Sequence, residues 1–525
     1  HKSQPTAQNM FEDVVMKYEY DVRGNLTRVL DPYDRVVFVY KYDLRPPQEN
    51  EEGEKEPLPP LWTNHIDSGE SSVIYDATGK PIESHDAKDA RSLSAYDRMQ
   101  RNIFGWTQNN SQDQLRMTSK SIYGKDAGAA AINRNLLGQL WQQFDDAGKE
   151  EMVAFDFKGN LLDKTRRVIS SSVLKNALDQ YNTFLVDWTN SPSILDNVNY
   201  QSSNEYDALN RVTKLTLPED VDNERKEIIP AYNRSGALDH VTFDGEEYVK
   251  HIGYNAKGQR LLIAFGNDVM TRYTYDTKTF RLQRQRSEKF TYLKQGSTVT
   301  YNYDSGPNRQ DDGFQYDLAG NILKILKRVN DCGIRGTPLG SDALDRNFTF
   351  DPLYRLQSAT GRESDTEHQN DYLYADAPAP GNPNADNVRA YTRNYTYDKV
   401  GNIQRMQQVA SGNSFAREFE YNTGNKLEEV KTSGGTLIEN FTYDAAGNQL
   451  TAGSNRNYKW DAANQLITYY NQAGSGNPTI FAQYDYDNAG SRVSKLVRTG
   501  SSSSPIYERT LYIDGVFEYH KLEND

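Results

Sequence analysis

Lys17-Tyr18-Glu19-Tyr20-Asp21-Val22-Arg23-Gly24-Asn25-Leu26 is the stretch from which the rest of this chain can be read. Tyr18 and Tyr20 lie two apart, so in a strand both project from one face. Asp21 opens a turn, because its side chain can accept a hydrogen bond from the backbone two residues on. Gly24 follows three residues later, where a left-handed backbone suits glycine. The pattern predicts a hairpin built on a type I turn with a glycine bulge, and Leu26 resumes the next strand. Nearly complete copies return with Tyr316, Asp317 and Gly320, with Tyr397, Asp398 and Gly401, with Tyr443, Asp444 and Gly447, and with Tyr486, Asp487 and Gly490. With Tyr20, Asp21 and Gly24 these are the expected structural anchors. A lone hairpin is marginal in water. Many in series can form one long antiparallel ribbon in which each buttresses the next.

Composition fits such a ribbon better than a thick globule. Among 525 residues the apolar share is 36%, unchanged if glycine replaces tyrosine in the count, since there are 36 of each. Ordinary globular chains reach roughly 45–50%. Mean hydropathy is −0.84. Tyrosines with an apolar body and a polar tip can patch a thin sheet with two polar faces. A net charge of −13 disfavours nucleic acid and anionic lipid as partners. The single cysteine, Cys332, excludes an intrachain disulfide framework. No apolar run approaches a membrane span. The chain opens at His1 with no visible signal peptide and closes at Asp525 without a terminal cap, which reads as a piece of a longer polypeptide.

The repeat reading treats residues 1–525 as one array. Arg45–Pro60 and Ala375–Asp386, rich in proline, read as exposed loops. Ala127–Leu137 reads as a short helix. Val173, Ala177, Leu178 and Tyr181 have helical spacing and predict one helix on a sheet face. The last run, Leu511 to Tyr519, reads as strand. The fold class expected is therefore all-β, with a few short helices.

These repeats resemble the tyrosine–aspartate (YD) repeats of the Rhs family over nearly the whole chain. Asn135–Leu140, Ala154–Leu162 with Arg166-Arg167, Tyr206–Arg211, Asn267–Leu282 and above all Phe350–Leu356 followed by Ala359–Glu363 resemble the shell-forming B/C components of bacterial Tc (ABC) insecticidal toxin complexes. The resemblance implies a β-ribbon spiralling into a hollow shell that encapsulates a C-terminal toxic effector until delivery. It also implies a secreted protein whose partners are that effector and other toxin-complex or secretion-apparatus components. The family's aspartyl autoprotease carries Asp-Pro-x-Gly signatures. Asp31-Pro32 and Asp351-Pro352 lack that glycine, so the autoprotease and the toxin are expected to lie outside this segment. The alternative is an adhesion protein in the manner of the related teneurins, binding a partner or glycan on its outer face.

No catalytic constellation stands out. The seven histidines show no metal-ligand spacing, and no Gly-Lys pair has the glycine of a phosphate loop five residues before it. Asp485-Tyr486-Asp487 could hold calcium, but the full acidic loop is missing and a solvated turn is the better reading. The expectation is no enzyme, no cofactor and no metal.

Overall fold

The computed structural model describes residues 2–5, 11–44, 59–190, 193–295, 298–303, 308–329, 345–364 and 388–522. Among these residues run 39 strands and two short α-helices. The pairings are antiparallel and join strands adjacent in sequence, as in Lys17–Tyr20 with Leu26–Leu30 and Val388–Tyr397 with Ile403–Ala410. The chain is all-β, and the reason lies in its punctuation. Short runs rich in Tyr, Val, Thr and Phe are cut by five-residue turns before any run could wind into a helix. One departure breaks the sequential order. The 14-residue strand Leu282–Gln295 pairs with Gln310–Tyr316 at its start and with the Thr298–Tyr303 strand at its end.

The chain divides into two compact units. The first comprises residues 1–15, 229–420 and 430–438; the second comprises 16–228, 421–429 and 439–525. The first is sheet with little buried behind it. Its small core gathers Ala264, Met270 and Phe290, with Tyr292 and Tyr301 against them. The second has a thicker core. Ile169, Leu174, Leu178, Val186 and Trp188 pack on Phe481, Leu496 and Tyr507.

The helix of that core spans Ser171–Asp179. Leu174 and Leu178, one turn apart, are its fully buried residues, and Tyr181 at φ +50° ends it. The expected helix at 127–137 shrinks to a 3-10 turn, Gly124–Ala127, and a single α-turn, Ala130–Asn133. Gly128, Asn135 and Gly138 all take positive φ and break it up. The run Leu511–Tyr519 is also not one strand. Asp514 and Gly515 both take positive φ and fold it into a hairpin between Ser504–Ile513 and Phe517–Leu522. The loop 375–386, Cys332 and all of the loop 45–60 but its last two residues lie outside the described residues; Pro60 already begins a strand.

Candidate functional site

A repeated latch is built from three residues of each turn. At the first copy Gly24 N–H donates to the Asp21 carbonyl (3.0 Å) and Asp21 N–H to the Asn25 carbonyl (2.9 Å). Gly24 sits at φ +85°. Asp21 Oδ1 accepts from the Arg23 and Asn25 amides at 2.8 and 2.9 Å, and Oδ2 accepts from Asn25 Nδ2 at 2.9 Å. Asp317 with Asn321, Asp398 with Asn402 and Asp444 with Asn448 repeat this carboxylate–amide clasp at 2.7–2.9 Å. At Asp487 the amide is replaced by Ser491, whose backbone N–H still donates at 2.8 Å. The Asn25 side-chain hydrogen bond is the largest of the effects that hold Asp21 below the usual carboxylate range, and Asn321 does the same for Asp317.

The tyrosine closes the latch. Tyr316 OH donates to Leu282 O at 2.7 Å, Tyr397 OH to Leu356 O at 2.7 Å, Tyr443 OH to Leu427 O at 2.8 Å and Tyr486 OH to Leu466 O at 2.8 Å. Each acceptor is the first residue of a strand on the far side of the preceding hairpin. Partial burial raises all four phenols, so they stay protonated as donors. Where Trp460 replaces tyrosine, its Nε1–H donates to Gln449 O at 2.7 Å. Tyr20 finds no such carbonyl among the described residues and is 61% exposed.

A second kind of turn lacks the glycine. Asp34, Gln100, Asn210 and Tyr354 occupy the glycine position at φ +60° to +64°. In each the next residue is arginine, and Arg35, Arg101, Arg211 and Arg355 donate Nε–H to the turn aspartate at 2.6–2.8 Å. The guanidinium takes the place of the asparagine amide and adds charge, which offsets a left-handed non-glycine residue costing about 1–2 kcal/mol. The DPLYR run is thus a turn of this kind. The arginine also reaches onward: Arg355 Nη1 donates to Asp398 O of the next same-edge turn at 2.7 Å.

In the second unit, residues 16–228 form one layer of ribbon and residues 421–429 with 439–525 another, and their edges meet along a seam. Arg35 Nη1 donates to Thr423 O and Gly424 O, both at 2.9 Å. Asp67 accepts from the Asn425 amide at 2.6 Å, and Lys88 Nζ donates to Asp461 O at 2.6 Å. Gly447 fits so closely that a Cβ there would stand 3.0 Å from Asp67 O. The connector after residue 168, which carries the helix, is wedged into this seam. Gln483 clamps both Phe184 N–H (2.8 Å) and Phe184 O (3.0 Å), Trp188 Nε1–H donates to Asp145 O at 3.0 Å, and Arg509 donates to Ile169 O and Ser171 Oγ at 2.7 Å.

Charges are buried beside that wedge. Arg166 grips Asp145 with both terminal guanidinium nitrogens at 2.7 and 2.5 Å, the two side chains being almost completely buried. Arg116 donates to Asp146 Oδ1 (3.2 Å), Val186 O (3.1 Å) and Asn109 Oδ1 (3.3 Å). Asp485, far from being a solvated turn residue, is 5% exposed, because strand alternation turns it inward beside Gln483. Burial pushes Asp145, Asp146, Asp461 and Asp485 above the usual carboxylate range, Asp146 to about 7.

The sequence pattern locates the anchors Asp21, Asp317, Asp398, Asp444 and Asp487 but not what they meet. Gly447 lies on the seam, whereas a Cβ at Gly24 or Gly401 would meet nothing within 4 Å. Arg116, Asp145, Asp146, Arg166 and Asp461 gave no signal beyond an extra acidic residue in one turn and an Arg-Arg pair. Among the described residues no group of three or more His, Cys, Asp or Glu could hold a metal ion, and no helix is long and apolar enough to cross a membrane.

Residues 340–512 match the Teneurin YD-shell family model. The chain is 26% identical to the toxin subunit YenC2 of Yersinia entomophaga over 98% of its own length and 53% of that protein. It is 25% identical to YenC1 of the same organism over 87% of its own length and 45% of that protein. It therefore spans about half the length of these two relatives. The crystal structure of TcdB2-TccC3 superimposes on the whole chain with a TM-score of 0.80 at 22% identity, using 24% of that structure, a likeness of fold.

Proposed function

We propose, from the premise that the chain is a YD-repeat shell protein resembling the B/C components of Tc toxins, that it is a structural segment of a secreted, hollow toxin shell. That shell holds and protects a C-terminal effector before delivery. The observation that carries this reading is the seam. A ribbon that only displayed a binding face would need the latch alone, whereas here the edge loops of one layer are closed onto the turns of another by Arg35, Asp67 and Lys88. Joining the turn edges of two layers lets a thin sheet wall off space.

The opposite edge of the first layer supports assembly with other toxin-complex components. Its turns are tied to one another, as by Lys158 Nζ to Ala208 O at 2.7 Å and Asn160 Nδ2 to Asn210 Oδ1 at 3.0 Å. Their tips carry Val22, Met99, Phe157 and Leu209, all strongly exposed, where the seam turns carry Ala445, Ala446, Ala462 and Ala463. Apolar tips in a row on a ribbon edge suit a second protein edge. The decisive experiment is protease protection of the full-length parent protein. Its C-terminal domain is expected to survive a protease that degrades the same domain made alone. Equal degradation rates would refute encapsulation.

A further inference from the structure

The edge of the first layer that faces away from the seam carries turns at 97–101, 124–139, 156–160 and 207–211, one at every second strand junction. Strand spacing sets neighbouring turns about 10 Å apart, so the four present a stripe about 30 Å long. They are tied together: Arg101 Nη1 donates to Gly138 O at 3.3 Å, Phe155 N–H to Arg134 O at 3.0 Å and Lys158 Nζ to Ala208 O at 2.7 Å. Met99, Ile132, Leu137, Phe157 and Leu209 are each more than half exposed along it. Arg98, Lys125 and Arg134 lie exposed among them, their side chains making no hydrogen bond or ion pair among the described residues. Lys158 meets a carbonyl, not a carboxylate. The acids of these turns are committed: Asp97 is clasped by Arg101, Asp156 by Asn160 and Asp207 by Arg211, which leaves Asp126. In a chain of net charge −13 this stripe is both basic and apolar. The seam-side turns of the same layer are the reverse: Asp34, Asp89, Asp113, Asp146 and Asp222 stand there beyond the residues that open each turn, with Arg35 and Lys88 as cations.

Resting on the assembly reading above, we propose that this stripe is the docking site for the acidic, apolar turn edge of a second protein, whose carboxylates meet Arg98, Lys125, Arg134 and Lys158. The five large side chains need an apolar partner to leave water. A wholly apolar face is excluded by the cations beside them, because burying a charge without an opposite one is costly. A basic face is excluded by like charge. The interval of about 10 Å matches the turns of another antiparallel ribbon, which recur at the same spacing. The seam supplies the precedent within this chain. There Arg35 and Lys88 of one turn edge donate to carbonyls of another, Thr423 O, Gly424 O and Asp461 O. The stripe presents donors of the same kind to a second edge.

Carbodiimide coupling, which joins a lysine amine to a carboxylate it touches, tests this on the toxin complex assembled on the full-length parent protein. Mass spectrometry should find at least one of Lys125 and Lys158 joined to an Asp or Glu of a second protein. A complex that assembles with neither lysine coupled would overturn the proposal and leave the assembly reading standing; a parent on which nothing assembles would end both. The combined variant Arg98→Glu, Lys125→Glu and Arg134→Glu reverses three cations that hold no partner among the described residues, so it should melt like the native chain. Its affinity for the coupled protein should fall by at least about tenfold. Raising salt from about 0.1 M to about 0.5 M should weaken the native pair and not the variant. Native affinity in the variant would overturn the proposal. So would binding of the parent to vesicles of phosphatidylserine and phosphatidylcholine in equal parts that the variant loses, which would give the stripe to a lipid surface instead.

Discussion

The carboxylate of Asp21 stands at the surface with two backbone amides and one side-chain amide aimed at it, while that of Asp146 stands in a tight cleft with one long arginine contact and two carboxylates for neighbours. Both belong to a turn of the same ribbon. Donors lower the first, burial raises the second. The turn therefore contributes most above the ordinary aspartate range and loses its clasp as pH falls through it. The difference teaches that the ribbon's turns are held by donors close in sequence, whereas its layers meet through partners hundreds of residues apart.

The largest expected break separates a buried ion pair from a surface one. Arg166→Met would leave Asp145 buried without its partner, and removing one member of such a pair costs about 3–5 kcal/mol. Arg211→Met, at a turn pair whose side chains are 29% and 23% exposed, should cost about 1 kcal/mol or less. Local opening free energies from amide exchange around 145–168 and 205–212 would measure both. Equal losses would mean that the buried pair is no more than a surface clasp.

Next comes the same glycine in two settings. Gly24→Ala and Gly447→Ala each place a side chain at positive φ, for about 1–2 kcal/mol. Only at Gly447 does the new Cβ also press on the backbone of Asp67, adding about 1–3 kcal/mol if the layers cannot shift. Exchange at 21–26 and at 444–449 should show the larger loss at the second site. A match between the two would mean the seam gives way without strain.

How far these regions could be read in the sequence follows from where their partners lie. The turn at Asp21 is local: Asp21, Arg23, Gly24 and Asn25, within five residues, supply both donors and acceptors, so the motif carries its own explanation. The arginine turns were half legible. DPLYR looked like a family signature, because nothing in it announces that Tyr354 adopts the glycine conformation. The seam was illegible. Asp67 meets Asn425 across 358 residues and Lys88 meets Asp461 across 373, and no periodicity links such distant edges. The Asp145-Asp146 pair read only as a hairpin turn, since its meaning depends on a second layer arriving over it. The hairpin at Asp514-Gly515, by contrast, was there to be seen in the dipeptide itself.

A smaller effect probes the latch without touching the turn. Tyr316→Phe removes the hydrogen bond to Leu282 O and leaves the ring in place, so about 1 kcal/mol of local stability near 282–284 should be lost. Tyr20→Phe should change nothing measurable there, because Tyr20 holds no such carbonyl among the described residues. If both variants lose the same amount, the hydroxyl is merely solvated at each site and the ring alone matters.

The smallest effect on the fold should coincide with the largest on assembly. Phe157 caps the turn Asp156–Asn160, whose clasp is made by Asp156 and Asn160, so its own ring, 86% exposed, contributes little to folding. Phe157→Ser should leave thermal stability within about 0.5 kcal/mol of the native chain. The seam turns explain why that exposure matters. Where edge turns are covered, at Ala445 and Ala462, the tips are small enough for a neighbouring loop to approach; where they stand free, at Val22, Phe157 and Leu209, they are large and apolar. A combined Val22→Ser, Phe157→Ser and Leu209→Ser variant should therefore melt like the native chain yet fail to co-purify with the partner components proposed above. Co-purification at native levels would leave the large tips as ordinary exposed residues and return the weight of the assembly to the seam.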